Sequence, residues 1–99
     1  MQGKYIKSKR ADQDIRKIVL QSIKDFGEEQ TDQYMTGLEG ALISLACNQD
    51  MGKAFLHGRT GNEYRRFRYM SHVVYYRKRV EDIFILRILH TRMLPENHL

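Results

Sequence analysis

Three consecutive strand-like segments near the C-terminus, joined by connections too short to hold a helix, constrain the fold most. Residues 64–69 alternate aromatic and basic side chains, residues 72–77 are β-branched and aromatic, and residues 82–90 form a long apolar run. These compositions favour β-strands. Residues 78–81 are expected to form a tight hairpin turn, although they include no glycine. Strands joined in this way pair antiparallel, so this part of the chain predicts a meander.

Two amphipathic helices are expected before these strands. Residues 11–26 place apolar side chains at helical spacing, Gly27 follows as a stop signal, and residues 28–31 open a second helix. Because the connection is short, the helices should form an antiparallel hairpin whose apolar faces need a cover. The apolar face of the first helix comprises Ala11, Ile15, Ile18, Val19 and Phe26, opposite Asp12, Asp14, Lys17 and Lys24; that of the second comprises Tyr34, Leu38, Ala41, Leu42 and Leu45.

Two glycines lie inside the predicted second helix. Gly37 and Gly40 would each cost about 1 kcal/mol relative to alanine in a helix interior. We interpret them as positions where the first helix approaches closely.

The remaining segments complete a single domain. Residues 4–7 suit an edge strand, and residues 48–62 read as a loop with one short strand around Phe55 and Leu56. We therefore predict one α+β domain over residues 1–99. It comprises an N-terminal strand and an antiparallel helical hairpin packed on a small antiparallel sheet of three to four further strands.

The basic charge is concentrated in the second half of the chain. Residues 1–52 contain seven Lys and Arg against eight Asp and Glu, whereas residues 53–92 contain ten against three. This asymmetry indicates a surface that attracts an acidic partner, either nucleic acid or an acidic protein segment. The alternative is that the arginines simply occupy a solvated sheet face.

Several classes of protein are disfavoured by what the sequence lacks. Cys47 is the single cysteine and cannot form an internal disulfide, and no segment approaches the roughly 20 apolar residues that span a bilayer. There is no Cys/His cluster or HExxH spacing for a metal. We expect a cytoplasmic protein with no metal, no cofactor, no membrane partner and no small-molecule substrate.

A family resemblance covers nearly the whole chain. The sequence resembles ParE toxins of the RelE/ParE superfamily, the toxin half of bacterial type II toxin–antitoxin modules. The resemblance is carried by residues 26–30, by Tyr34, Leu38, Ala41, Gly52 and Lys53, and most densely by residues 71–77, 85–93 and 95–99. It implies a RelE/ParE-like fold and a toxin that poisons DNA gyrase and blocks replication. It also implies neutralisation by a ParD-type antitoxin, and no catalysis by the toxin itself.

Charge and position then suggest the surfaces that these partners would use. The gyrase-inhibition surface is expected to include the tail, residues 91–99, and the last strand before it. Its candidate residues are Arg65, Arg68, Arg87, His90, Arg92, Met93 and Leu94. The antitoxin is expected to lay an amphipathic segment into an apolar groove, lined by Ile15, Val19, Tyr34, Leu38 and Phe55.

Other functions remain open from the sequence. A RelE-like ribosome-dependent messenger RNA endoribonuclease would need basic residues at the scissile phosphate and an acid–base group, for which His90 or His98 is available. An inactive relative retained as a binding module is a further possibility. A single-stranded nucleic-acid platform is disfavoured, because strand alternation turns Phe67 and Tyr69 inward.

Overall fold

Two long helices follow a short first strand, and four further strands complete the chain. The computed structural model describes residues 3–99. The strands are β1 (Tyr5–Lys7), β2 (Lys53–Leu56), β3 (Glu63–Tyr69), β4 (His72–Lys78) and β5 (Ile83–His90); the helices are α1 (Lys9–Phe26), α2 (Glu28–Cys47) and a 3-10 turn at Pro95–Asn97.

The five strands form one mixed sheet in the order β1-β5-β4-β3-β2. The four strands that follow the helices pair antiparallel, which confirms the predicted meander. β1 adds to the edge of the same sheet and runs parallel to β5, with Tyr5 opposite Ile83 and Lys7 opposite Ile85. The predicted α+β architecture, with a helical hairpin on a sheet, is therefore confirmed.

The first helix begins at a side-chain cap and ends at a glycine. The Ser8 hydroxyl accepts a hydrogen bond from the Ala11 amide at 3.0 Å, which satisfies one of the unpaired donors at the helix start. Gly27 has a φ of 88° and separates α1 from α2 by a single residue. Because glycine enters this left-handed region without steric cost, the predicted stop at Gly27 is confirmed.

The core lies between the helices and one face of the sheet, here called the inner face. Phe67 and Tyr69 pack inward against this core, as strand alternation predicted. Arg66 and Arg68, which alternate with them along β3, are exposed on the opposite, outer face. The buried core residues are Ala11, Leu38, Leu42, Leu45, Ala46, Val74, Tyr76, Ile83, Ile85 and Ile88.

The prediction for the helix glycines was wrong. A Cβ at Gly37 would collide with the Tyr69 hydroxyl, so the close neighbour is the sheet and not the first helix. Gly40 has nothing within 4 Å of the Cβ position. Phe26, the last residue of α1, is also 62% exposed instead of packed.

No described helix of the protein combines the length and apolar character that crossing a membrane requires.

Candidate functional site

A buried ion pair joins α1 to β5. Two guanidinium nitrogens of Arg87, Nε and Nη2, each donate to the Asp14 carboxylate at 2.8 Å, and Oδ2 of Asp14 also accepts from the Ile88 amide at 3.0 Å. The side chains are 8% and 12% exposed for Asp14 and Arg87. The sequence interpretation placed Asp14 on the solvent side of α1, and this was wrong.

The edge of β5 explains why a carboxylate is buried there. β1 pairs with β5 only as far as Ile85, so β5 beyond that residue lacks a neighbouring strand on this side. The first turns of α1 take the place of the strand: the Ser8 hydroxyl donates to the Leu86 carbonyl at 2.8 Å, and Asp14 accepts from Ile88. Backbone groups that a longer β1 would pair are thus satisfied by the side chains of Ser8 and Asp14.

The guanidinium group of Arg87 makes all its hydrogen bonds within the protein, to Asp14 and to the tail. The hydrogen bonds that Arg87 donates to Asp14 raise the pKa of Arg87, burial lowers it by less, and the charge of Asp14 raises it further. The guanidinium therefore stays charged, with its charge balanced by Asp14. The remaining nitrogen, Nη1, donates to the His98 carbonyl at 2.9 Å, so Arg87 positions the tail and presents little free charge to a partner.

The tail turns back from the end of β5 and is held at both ends. The Thr91 amide donates to the Ser71 carbonyl at 2.9 Å, and Nη2 of Arg59 donates to the Leu99 carbonyl at 2.6 Å. Burial raises the pKa of the outer-face Tyr75, Arg66 lowers it, and Glu96 of the tail raises it. Because Arg87 lies opposite the outer-face Tyr75 and donates to the His98 carbonyl, the tail runs beside the outer face of the sheet.

The bend that leads into the tail is exposed. Met93 and Leu94 are 45% and 61% exposed, and Arg92 is exposed beside them. Arg68 lies at the same end of the sheet, since it pairs with Val73, which in turn pairs with Leu89. We call Arg68, Arg92, Met93 and Leu94 the tail-end surface.

The seven residues assigned to gyrase inhibition do not form one continuous surface. Arg65 lies on the inner side of β3, where it forms an ion pair with Asp50 at 3.3 Å and donates to the Gly52 carbonyl. Arg68 lies on the outer side, three residues along the same strand, and Arg87 is paired internally. The structure therefore brings together the tail-end surface, separates it from Arg65 and Arg87, and places His90 on the inner face behind it.

Two histidines and a tyrosine form a polar cluster that the sequence only partly indicated. His72 and His90 lie opposite each other on β4 and β5, with ring centroids 5.5 Å apart. The Tyr34 hydroxyl lies 2.7 Å from Nδ1 of His72. Burial lowers the pKa of His72, and the neighbouring His90 lowers it further. His90 accepts from the Arg92 amide through Nδ1 at 3.2 Å, so in its neutral form its proton is on Nε2.

A cavity of about 450 Å³ opens beside this cluster, between the second half of α1 and the β3–β4 turn. Apolar side chains with large exposed fractions lie at its mouth: Phe26 at 62% and Met70 at 64%. The lining residues are Ile18, Gln21, Ser22, Asp25, Phe26, Gln30, Tyr34, Met70, Ser71, His72 and His90.

The five residues predicted to line an antitoxin groove do not share one surface. Leu38 is 1% exposed and belongs to the core. Phe55 packs on the outer face, with its ring centroid 6.2 Å from Tyr64 and 6.0 Å from Tyr75. Ile15 and Val19 are half-buried on α1, and Tyr34 is the member that lines the cavity. Helical spacing predicted the apolar face of each helix. It did not predict which residues of that face the sheet buries completely.

Within residues 3–99, no three His, Cys, Asp or Glu side chains are grouped as a metal site would require. His72 packs edge-on against both Tyr34 and His90. The cluster is thus a hydrogen-bonded feature at the rim of the cavity.

Comparison with known proteins identifies the family. The family model described as "ParE toxin of type II toxin-antitoxin system, parDE" matches residues 5–95. "Toxin ParE1" of Caulobacter vibrioides is 36% identical over 95 residues, covering 96% of each chain. "Toxin ParE1" of Mycobacterium tuberculosis H37Rv is 31% identical over 100 residues, covering 100% of each chain.

A solved structure shares the fold. The structure titled "Chromosomal ParDE TA system from P. aeruginosa" aligns with a TM-score of 0.69 and 18% identity, covering 87% of this chain and 92% of that chain. At this identity the likeness concerns the arrangement of the helical hairpin and sheet. Together with the match of the family model over residues 5–95, it leads to one conclusion: the chain belongs to the ParE toxin family of type II toxin–antitoxin systems.

Proposed function

We propose that this ParE toxin poisons DNA gyrase, blocks replication by stabilising cleaved DNA, and is neutralised by a ParD-type antitoxin. The observation that supports this most strongly is the match to the ParE family over residues 5–95, because poisoning of gyrase is what that resemblance implies. The C. vibrioides and M. tuberculosis relatives carry the same toxin name over nearly full length. The toxin would act in the cytoplasm, where gyrase and DNA are found.

The tail-end surface is the part of the molecule that we assign to gyrase. It combines two cations, Arg68 and Arg92, with the exposed apolar side chains of Met93 and Leu94. Charged residues around exposed apolar anchors are typical of protein-binding sites. Arg87 contributes indirectly by holding His98 of the tail, and Arg65 by holding the loop at Gly52.

The positions of histidines and arginines support inhibition by binding over RNA cleavage. RelE-type cleavage needs an acid–base group beside cations at one phosphate. His90 lies on the inner face with His72 and Tyr34, whereas the exposed arginines of β3 lie on the outer face. His98 contributes its carbonyl to Arg87. The imidazole of His90 is thus on the opposite face of the sheet from the exposed arginines of β3.

The test is a gyrase assay with supercoiled plasmid and ATP. Adding the purified toxin should reduce supercoiling and cause cleaved DNA to accumulate, because the toxin stabilises the cleaved complex. Heat-denatured toxin serves as the control. Unchanged supercoiling at a large molar excess would contradict the proposal and favour messenger RNA cleavage on ribosomes, which rapid translation arrest on induction in cells would reveal.

The cavity beside the polar cluster is the surface that we assign to the antitoxin. An amphipathic segment binds by inserting apolar anchors into a groove, and Phe26 and Met70 leave a large apolar area exposed at the mouth. Exposed apolar clusters of this kind mark interaction sites. Of the residues first expected in the groove, Tyr34 keeps its place in this proposal.

Replacing both Phe26 and Met70 with alanine should weaken antitoxin binding by about thirtyfold, the effect of losing an interface hot spot of roughly 2 kcal/mol. Isothermal titration with the cognate antitoxin would measure the change in Kd. Val80→Ala is the control, since Val80 is 100% exposed on the β4–β5 turn, and it should leave Kd unchanged. Unaltered binding by the double variant, with gyrase poisoning intact, would place the antitoxin elsewhere.

A further inference from the structure

The outer face of the sheet carries four cations that take part in no ion pair within residues 3–99. Lys53 on β2, Arg66 and Arg68 on β3, and Arg77 on β4 are all exposed. The ion pairs of the described chain involve other cations: Lys7, Arg65, Lys78, Arg79 and Arg87. None of these four side chains therefore forms an ion pair with a carboxylate of the described residues.

The strand register fixes the spacing of these charges. Arg66 lies opposite Lys53 on one side and Tyr75 on the other, and Arg77 follows Tyr75 by two residues. Arg68 lies two residues from Arg66 in the other direction, so the patch extends about 13 Å along the strands at a rise of roughly 3.3 Å per residue. Across three strands spaced about 4.8 Å apart it is about 10 Å wide. The result is a rigid positive plane.

Aromatic rings, in place of carboxylates, support two of these guanidinium groups. Arg66 lies over the Phe55 ring at 6.0 Å, and Arg77 lies over the Phe84 ring at 5.4 Å. A cation–π contact restrains the guanidinium while leaving its charge and its N–H donors available. Phe55 is itself packed against Tyr64 and Tyr75. The arginines are therefore pre-organised without losing charge.

The composition of this face favours a phosphate backbone over an acidic protein segment. Protein interfaces depend on apolar anchors in addition to charge, yet the large exposed apolar side chains of the described chain lie elsewhere, on the helices, the turns and the tail, with Ile6 and Leu56 on the edge strands. Binding to duplex DNA depends chiefly on cations that neutralise phosphates. About 13 Å of duplex presents roughly eight phosphates at one per 1.7 Å of helix axis, both strands counted, and those on the side that faces the sheet are available to the four cations.

We propose that the outer face of β2, β3 and β4 binds the phosphate backbone of duplex DNA, through Lys53, Arg66, Arg68 and Arg77. The inference rests on the proposed function, since the DNA would be the duplex that gyrase holds. Arg68 belongs both to this face and to the tail-end surface, so the two contacts adjoin. The toxin then touches gyrase with its tail and the DNA with its sheet.

The first measurement is binding of the purified full-length toxin to a short labelled duplex by fluorescence anisotropy across a salt series. Four phosphate contacts predict a slope of log Kd against log salt of about 3 to 4. The variant Lys53→Gln, Arg66→Gln, Arg77→Gln should reduce that slope by about 3 and weaken binding at least about tenfold at low salt. Arg68 is left intact so that the tail-end surface is unaltered.

The matched control is Arg10→Gln, Arg16→Gln, Lys17→Gln, which removes the same charge from exposed positions of α1. It should keep both the slope and the affinity, because its cations are off the proposed face. If both variants lost the same affinity for duplex DNA, the loss would be due to the lower net charge and the proposal would be overturned. No binding by the unaltered toxin at low salt would overturn it as well. Thermal unfolding of each variant checks that the fold is kept.

The gyrase assay tests the DNA-binding face separately from the proposed poisoning of gyrase. If the unaltered toxin poisons gyrase and the outer-face variant poisons it equally well, the proposed function stands and the DNA-binding face is refuted. If the toxin binds duplex DNA through this face but does not affect gyrase, the proposed function is refuted and the DNA-binding face stands. A variant that loses antitoxin affinity while keeping DNA affinity would assign the face to an acidic protein segment instead and overturn the proposal.

Discussion

Replacing Asp14 with alanine is expected to lower the free energy of unfolding by about 3 to 5 kcal/mol, the cost of leaving one member of a buried ion pair alone. Arg87 would keep its charge in a site where its side chain is 12% exposed. The Ile88 amide would lose its acceptor at the same time. Urea unfolding followed by circular dichroism measures the change.

The control for this variant is Asp12→Ala. Asp12 pairs with Lys7 at 3.3 Å, but both side chains are substantially exposed, at 43% and 36%. A pair of this kind contributes at most about 1 kcal/mol. If the two variants were destabilised equally, the buried pair would have no special role in stability.

A double variant distinguishes the lone charge from the lost contacts. Adding Arg87→Met to Asp14→Ala removes the unpaired guanidinium and should recover part of the stability, because replacing a buried pair with apolar side chains is often near neutral. Recovery should remain incomplete, since an unsatisfied Ile88 amide still costs about 1 to 3 kcal/mol. A double variant less stable than Asp14→Ala would contradict this account.

The second large effect concerns activity. The variant Arg92→Gln, Met93→Ala, Leu94→Ala should lose gyrase poisoning by about thirtyfold or more, as expected when interface hot spots are removed. Its stability should change by less than about 0.5 kcal/mol per site, because the three side chains are exposed and Leu94 caps the 3-10 turn without a side-chain hydrogen bond. The amount of toxin needed for half-maximal accumulation of cleaved plasmid gives the activity, and the melting temperature gives the stability.

A chemically matched control exists on the helices. Lys17→Gln, Leu20→Ala, Ile43→Ala likewise removes one cation and two apolar side chains that are 69% and 46% exposed. It should poison gyrase as well as the unaltered toxin does. Full activity in the tail variant would remove the tail-end surface from the proposal. Deleting residues 91–99 should also abolish activity, although it additionally removes the partners of Arg59 and Arg87.

Local sequence patterns predicted the parts of the fold that depend on neighbouring residues, but not the pairing of segments far apart in the chain. Helical spacing, the glycine at position 27 and the alternation in residues 64–69 predicted the helical hairpin and the order of the last strands. The parallel pairing of β1 with β5 joins residues 78 positions apart, as Tyr5 and Ile83 show, and no local pattern encodes such a partner. Gly37 illustrates the same point, since its neighbour is Tyr69 of the sheet.

The candidate site was predicted less well than the fold, and the sequence could have corrected only part of the error. Strand alternation already implied that Arg65 and Arg68 lie on opposite faces of β3, so their separation was readable from the sequence. The burial of Arg87 was not, because its partner Asp14 is 73 residues away and a carboxylate on a helix is ordinarily solvated. Charge counts therefore located the basic half of the chain without showing which cations are free.

The replacement of a missing strand by α1 has a consequence for hydrogen exchange. Backbone amides in a sheet usually exchange only when neighbouring strands separate, but the Ile88 amide is held by the carboxylate of a helix residue. Its exchange with solvent therefore requires Asp14 to leave the sheet, whether or not β4 and β5 remain paired. In a deuterium-exchange experiment, this one amide reports how often the helix lifts from the strand.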